Sequence, residues 1–472
     1  MIKMENVSFR YENGEQGVDN INLSIGTGEC VVLIGESGCG KTTVTRLING
    51  LAPEYYSGLK SGKIYIKDKE ISEMPLYETG KLVGSIFQDP GSQFFSSELA
   101  GEVAFACENY GFSKEEILQR TDNAICKMSL EYLRNTPLDV LSGGEKQRTA
   151  IASVYALYPP VLVFDEPTAN LDLEGIRELG KALLELKTDG HTLIIAEHRL
   201  DWISNVADRY VYMADGKITK EYTSTEFYAM NDEERDRLGL RRQIKSNVRA
   251  LPFPNRELPV AVEANEISCR KGQKQIWKNL QLFFNKGYIT ALTGYNGIGK
   301  TTLSLALSGL THVHKGSIYI DEKKRKRSEL TKLIYYCSND MGTQLFTGNV
   351  SEELLLNAEY DAEKLEEIKK ILKHLGLYAY KDAHPQALSG GEKQRLAVAC
   401  ALISDKDILI LDEPTSGLDG RNMRLIAEEL RQAVKKGKTI LVITHDEEFT
   451  AACCDYRINL CKREDDICVT MG

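Results

Sequence analysis

The sequence is poor in several things that would each have signalled a different kind of protein. Positive charge is not in excess: 59 Lys and Arg stand against 68 Asp and Glu, giving a formal net charge of -9. That balance argues against sequence-independent nucleic-acid binding, which rests on surplus cations. Long apolar runs are missing too. Stretches such as Cys30 to Ile34 and Ile408 to Leu411 fall far short of the roughly 20 residues of a membrane span. The start shows no charged n-region followed by an apolar h-region, so a cytosolic chain without a secretory signal is expected. The 11 cysteines are odd in number, scattered from Cys30 to Cys468, and include no Cys-x-x-Cys pair. This spacing suits neither a disulfide framework nor a zinc or iron–sulfur site, and reduced thiols are the expectation. Cys453 and Cys454 read as ordinary helix residues.

What is present is a repeat. Gly35-Glu36-Ser37-Gly38-Cys39-Gly40-Lys41-Thr42 returns as Gly294-Tyr295-Asn296-Gly297-Ile298-Gly299-Lys300-Thr301, 259 positions later. Leu141-Ser142-Gly143-Gly144-Glu145-Lys146-Gln147-Arg148 returns at Leu388 to Arg395, an offset of 247. Asp165-Glu166, Asp172 and His198 return at the same offset as Asp412-Glu413, Asp419 and His445. A constant offset across four separated motifs means a duplicated domain. Pro252, Pro254 and Pro259 mark the boundary region. The division expected is a first domain over 1–240, a linker over 241–259 and a second domain over 260–472. The charged stretch Asp232 to Arg249 is compatible with a helix, with Arg241, Arg242, Lys245 and Arg249 on a solvated face.

Within each half, buried-strand patterns precede the motifs: Cys30 to Ile34 and Ile289 to Thr293, Val161 to Phe164 and Ile408 to Leu411, Thr192 to Ala196 and Thr439 to Ile443. Helical stretches such as Ser351 to Leu375 lie between them. Alternation of strand and helix implies an α/β fold with a parallel sheet.

Gly-x-x-x-x-Gly-Lys-Thr between a strand and a helix is a phosphate-binding P-loop. Its glycines (Gly35, Gly38, Gly40; Gly294, Gly297, Gly299) let backbone N–H groups curl around phosphate, and the helix dipole adds to the field. Lys41 and Lys300 are placed to neutralise the β- and γ-phosphates, and the hydroxyls of Thr42 and Thr301 to meet Mg²⁺. Asp165 and Asp412 end apolar strands beside the P-loop, where a metal is held. Glu166 and Glu413 follow, as acceptors for a proton from water. Ser142-Gly143-Gly144 and Ser389-Gly390-Gly391 read as capped helix starts with open N–H groups, a second phosphate cradle. His198 and His445 suit a γ-phosphate sensor.

In this order the motifs resemble the nucleotide-binding domains of ATP-binding cassette (ABC) ATPases, twice over nearly the whole chain. The resemblance implies two tandem P-loop NTPase domains, each with a parallel-sheet core, an antiparallel β region and a helical subdomain. It also implies ATP and Mg²⁺ as ligands, with each ATP between one P-loop and the opposite Ser-Gly-Gly. One site would join Lys41, Thr42, Thr43, Asp165, Glu166 and His198 to Ser389 and Gly391. The other would join Lys300, Thr301, Thr302, Asp412, Glu413 and His445 to Ser142 and Gly144. Ile86-Phe87-Gln88-Asp89-Pro90 through Asn109, and Ala196-Glu197-His198-Arg199, further resemble the ATPases of energy-coupling factor (ECF) transporters. These power uptake of vitamins and metal ions beneath a transmembrane coupling subunit and a substrate-binding membrane subunit, at the cytoplasmic face of the membrane.

The second half departs in places. Gln344 aligns with Gln93, which sets Asn339 where the first half has Gln88, one methylene shorter toward Mg²⁺ or water. Tyr11, placed to stack on adenine, is matched by Lys271. Two hydrolytic but unequal sites are expected. Cys39, inside the first P-loop, reads either as a reactive thiol or as a small residue tolerated there. The run Lys323 to Arg327 reads as a solvated turn of a hairpin.

Overall fold

The computed structural model describes residues 1–12, 14, 16–169, 171–244, 251–272, 274–356, 361–463 and 466–470. The chain divides into two compact units, Met1–Gln243 and Ile244–Gly472.

The strands of the first unit, among the described residues, are β1 (Ile2–Tyr11), β2 (Gln16–Ile25), β3 (Cys30–Ile34), β4 (Gly58–Ile66), β5 (Lys69–Glu70), β6 (Val83–Ile86), β7 (Val161–Asp165), β8 (Thr192–Ala196), β9 (Arg209–Ala214) and β10 (Lys217–Thr223). They form an antiparallel sheet ordered β2-β1-β4-β5 and a six-stranded sheet ordered β10-β9-β3-β8-β7-β6. In the larger sheet β9, β3, β8, β7 and β6 are mutually parallel and β10 is an antiparallel edge. All five residues of β3 are buried, as expected of a strand covered on both faces. Its alternate side chains serve different cores. Cys30, Val32 and Ile34 face a cluster built with the helices Leu99–Asn109, Lys114–Lys127, Gly143–Tyr155 and Leu173–Thr188. Val31 and Leu33 face a second cluster, shared with the antiparallel sheet and the P-loop helix Lys41–Ile48. The parallel sheet is thus the partition between a helical layer and a β layer.

The second unit repeats the plan with β11 (Val260–Lys271), β12 (Lys274–Asn285), β13 (Ile289–Thr293), β14 (Lys315–Ile320), β15 (Lys323–Arg325), β16 (Ile334–Cys337), β17 (Ile408–Asp412), β18 (Thr439–Ile443), β19 (Tyr456–Arg463) and β20 (Asp466–Thr470). The sheet orders are β12-β11-β14-β15 and β16-β17-β18-β13-β19-β20. Even the register is copied: Asp165 pairs with Ala196 and Asp412 with Ile443, each 247 positions on. The α/β expectation, with parallel core, antiparallel region and helices, holds in both units. Of the basic run Lys323 to Arg327, expected as a turn, Lys323–Arg325 form a short edge strand, β15, pairing with β14 in a hairpin, and Arg327 begins the helix Arg327–Leu333.

Three further expectations need correction. The helix expected over Ser351 to Leu375 is two helices, Val350–Leu355 and Ala362–His374, the second capped by the Asp361 carboxylate on the Lys364 amide at 2.7 Å. Among its described residues the charged stretch after Asp232 is helical over Asp232–Arg237; Lys245 and Arg249 lie outside the described residues. Arg241 is buried rather than on a solvated face, and its carbonyl accepts from the buried guanidinium of Arg235. From Leu251 onward the chain is held within the second unit. Pro252 accepts from the Arg457 amide, and Asn255 exchanges hydrogen bonds with Asn285.

Candidate nucleotide site

Each P-loop begins where a central parallel strand ends, and local sterics account for its sequence. Gly35 sits at φ 145° with no room for a side chain: an added Cβ would stand 2.2 Å from the Met213 carbonyl oxygen. Gly40, at φ 102°, caps the helix Lys41–Ile48. Only glycine takes both positions without strain. The same shape recurs in the second unit, with Gly299 capping Lys300–Leu307.

Lys41 is buried, and its ammonium folds back onto the loop, donating to the carbonyls of Gly35 and Glu36 at 3.0 Å each. Lys300 does the same to Gly294 and Tyr295, at 2.6 and 3.0 Å. A cation held over a ring of backbone amides is the electrostatic half of a phosphate site. Cys39 is buried beneath the loop, where a Cβ added at Gly35 would stand 2.8 Å from its sulfur. It fills space there, which favours the small-residue reading over the reactive-thiol one.

The Thr42 hydroxyl donates to Asp165 Oδ1 at 3.0 Å, and Thr301 to Asp412 Oδ2 at 2.8 Å. Burial pushes both carboxyl groups above their usual range, with the threonine hydroxyls opposing it. A buried carboxylate beside a hydroxyl, costly while charged, is a donor pair that fits a hard divalent cation. The residue after each aspartate is bent out of the strand. Glu166 lies at φ 46° and Glu413 at φ 48°, in the left-handed region, with their amides donating to Ala196 and Ile443 at 2.8 and 2.9 Å. In a continuing strand, residues 165 and 166 would face opposite ways. The bend lets Asp165 meet Thr42 while Glu166 meets Gln88 and His198.

Those contacts differ between the units. Glu166 Oε2 accepts from Gln88 Nε2 at 3.0 Å, and Glu166 Oε1 lies 3.6 Å from His198 Nε2. Glu413 accepts from the Thr444 hydroxyl at 3.3 Å and lies 3.8 Å from His445 Nε2. His445 also meets Asn296 Oδ1 at 3.2 Å. Gln93 and Gln344 make matching bonds, to Ser85 and Phe87 in one unit and Tyr336 and Ser338 in the other. Asn339 therefore does occupy the place of Gln88. Tyr336 adds a hydroxyl on Asp412 Oδ2 at 3.1 Å.

Tyr11 is fixed beside the P-loop helix. Its hydroxyl is 3.0 Å from the Thr43 hydroxyl and accepts from Arg46 at 3.1 Å. The Lys271 side chain is outside the described residues. Ser142 and Ser389 cap the helices Gly143–Tyr155 and Gly390–Ile403, each in a reciprocal box with the glutamate three residues on. Gly144 and Gly391 lie in the first turns, and the P-loop and Ser-Gly-Gly sequences of each unit occupy separate helix starts.

Sequence reasoning missed the supports of the histidines. In the first unit buried Glu197 accepts from Thr168 at 2.6 Å and from the His198 and Arg199 amides at 2.7 and 3.1 Å. In the second, residue 444 is Thr, and the carboxylate has moved two positions on, to Asp446, which accepts from Thr415 at 2.9 Å and caps the helix Glu447–Cys453. The paired threonines, Thr168 and Thr415, kept the 247 offset and were the available signal.

Fold and site define a duplicated P-loop ATPase cassette. A family profile described as ABC transporter matches residues 18–169 and 277–416. The chain belongs to the ABC transporter family, as a tandem ATPase. It is 38% identical, over 96% of its own length and 94% of the relative's, to a Treponema denticola protein named for ABC transporter ATP binding. It is 31% identical, over 96% of its length and 89% of the relative's, to Bacillus subtilis YkoD, named as an HMP/thiamine import ATP-binding protein. A solved complex of the archaeal ribosome recycling factor aABCE1 with ribosomal stalk protein aP1 matches 98% of the chain and 89% of that chain, at 22% identity and TM-score 0.66. At that identity the likeness is one of fold.

Proposed function

We propose that this chain is the ATP-hydrolysing subunit of an ECF-type importer for a vitamin, metal ion or other small solute, acting through separate membrane subunits. The observation that carries the ATPase half is the retention, in both units, of a complete set: P-loop lysine, threonine–aspartate pair, bent glutamate and histidine. The importer half is supported by the relative named for HMP/thiamine import and by the Gln88 and Ala-Glu-His-Arg segments. Among the described residues no helix is long and apolar enough to cross a membrane, so the reading assigns the spanning parts to a transmembrane coupling subunit and a substrate-binding subunit. The chain would sit at the cytoplasmic face of the membrane.

In this reading Lys41 and Lys300 exchange their loop carbonyls for ATP phosphate oxygens, and the backbone N–H groups of each P-loop supply further donors. Thr42 with Asp165, and Thr301 with Asp412, would hold Mg²⁺, with the amides of Gln88 and Asn339 as further candidate ligands. When bound, Mg²⁺ supplies charge neutralisation at the β- and γ-phosphates. Glu166 and Glu413 each orient a water and take its proton, while His198 and His445 hold the same carboxylates from the other side. Ser142 to Gly144 and Ser389 to Gly391, as capped helix starts with open N–H groups, supply the second phosphate cradle of this reading. The two sites are unequal, because Gln88 reaches Glu166 and Asn339 is one methylene shorter.

The test is affinity purification of the tagged chain from its own host after mild detergent extraction, followed by ATPase assay. Co-purifying integral membrane proteins that raise Mg²⁺-dependent turnover are expected. Recovery with ribosomes or nucleic acid instead would overturn the transport reading while leaving the ATPase standing.

A further inference from the structure

The second unit ends in a two-stranded feature whose chemistry the ATPase does not use. In the antiparallel pair β19–β20, Cys461 stands directly opposite Cys468. Their sulfurs are 3.2 Å apart, and both are reduced, half-buried thiols. Directly opposed residues of an antiparallel pair have Cα atoms about 4.5–5.5 Å apart, inside the range of about 4.4–6.8 Å that a disulfide spans. Closing the bond therefore needs side-chain rotation and little backbone movement. The other close pair, Cys453 and Cys454, does not share this. Adjacent residues have Cα atoms only about 3.8 Å apart, below the disulfide range, and both thiols are buried.

The position has consequences for the nucleotide site. β19 runs parallel to β13, with Leu292 opposite Ile458 and Thr293 opposite Asn459. The next residue, Leu460, presents its carbonyl to the first glycine of the second P-loop: a Cβ added to Gly294 would lie 2.7 Å from that oxygen. Cys461 follows at once. The first unit has the same architecture, with Met213 against Gly35, but Ala214 where the second has Cys461, paired with Lys217. Cysteine at this place is not required by the fold.

We propose that Cys461 and Cys468 are a reversible thiol–disulfide pair that, when oxidised, fastens the strand backing the second P-loop. The oxidant is a low-molecular-weight disulfide such as glutathione disulfide. One cysteine, as thiolate, attacks it to give a mixed disulfide and release one small thiol. The second cysteine then displaces the other half. The two protein thiols lose two electrons and two protons, and one small disulfide becomes two thiols. The link closes the β19–β20 hairpin covalently one residue from the Leu460 carbonyl.

The full-length chain is incubated with glutathione disulfide, digested and mapped by mass spectrometry, with amide hydrogen exchange measured in parallel. A bridged Cys461–Cys468 peptide is expected, reversed by dithiothreitol and absent from Cys461→Ala, which copies the first unit's alanine, and from Cys468→Ser. Exchange of the Asn459 and Leu460 amides is expected to slow by about threefold or more as local opening is suppressed. Glutathione remaining on both cysteines without a bridge would overturn the proposal. So would a bridge that leaves exchange at those amides unchanged.

Discussion

Replacing Glu166 and Glu413 together, once by glycine and once by alanine, isolates the strain stored behind the site. Both pairs of substitutions delete the two carboxylates, so contacts with Gln88, His198, Thr444 and His445 are lost equally. What differs is the backbone. At φ 46° and 48° an L-residue pays about 1–2 kcal/mol for the left-handed conformation, a cost glycine does not have. Glycine also enjoys more freedom when unfolded, which at an ordinary helix or strand position makes it about 0.5–1 kcal/mol worse than alanine. The amides of residues 166 and 413 stay anchored on Ala196 and Ile443, so the bend itself should persist. The net expectation is glycine ahead of alanine by about 0.5–1 kcal/mol at each position. For units of this size that is a rise in Tm of about 1–4 °C, read by differential scanning calorimetry of the nucleotide-free chain. Both double variants should lose ATPase activity by about 10²–10⁴ if the carboxylates act as bases, so stability and activity separate. A glycine pair melting below the alanine pair would refute the strain argument, since it would show these positions behaving as ordinary backbone.

Other perturbations probe the asymmetry and the buried charges. Glu166→Gln and Glu413→Gln, made singly, should reduce steady-state ATPase unequally; indistinguishable losses would remove the case for two different sites. In a Glu413→Gln background, Gln88→Asn should lower kcat about tenfold, the equivalent of about 1.4 kcal/mol, and an unchanged rate would show the Gln88–Glu166 contact to be incidental. Asp165→Asn keeps the oxygen that accepts from Thr42 but removes a charge that burial disfavours, so the nucleotide-free chain should melt higher while Mg²⁺-dependent nucleotide binding weakens. The pH dependence follows from the same sign. The folded pKa of Asp165 and Asp412 is raised, so folding takes up protons there. Their penalty is absent below the unfolded carboxylate pKa and fully present above the raised folded pKa. The stability gain of the asparagine variant should therefore grow as pH rises through that window, and a gain that is flat across it in thermal melts would contradict burial as the cause.

How much of this was legible beforehand depended on whether a feature is carried by residue type or by backbone shape. The six motif-bearing strands were readable because burial on both faces demands an unbroken apolar run, and those runs stood directly before the glycines, carboxylates and histidines they position. Thr42 on Asp165 was readable because a P-loop fixes the start of its helix and a parallel strand fixes the end of its neighbour. The bend at Glu166 was not, since nothing about glutamate signals a left-handed residue; only the repetition of the same strain at Glu413 shows that it belongs to the design. The switch of carboxylate from Glu197 to Asp446 was hidden for a related reason. Matching by position pairs Glu197 with Thr444 and reads a loss, whereas the geometry keeps a function: a buried acceptor for the threonine at 168 or 415, supplied from whichever backbone position reaches it. The boundary stretch was read in part: Asp232–Arg237 is helical, but a run of charges looks like a solvated face, while Arg235 and Arg241 are drawn inward and the Arg235 guanidinium donates to the carbonyls of Phe227 and Arg241. In a duplicated chain the two halves thus serve as each other's control. Features kept at constant offset in both residue and geometry belong to the shared chemistry of ATP. Those kept in geometry but moved in sequence mark structural support. Those present in one half alone, such as Gln88 with its reach to Glu166 and the opposed pair Cys461 and Cys468, are where the proposed site asymmetry and the proposed thiol pair would set the two cassettes apart.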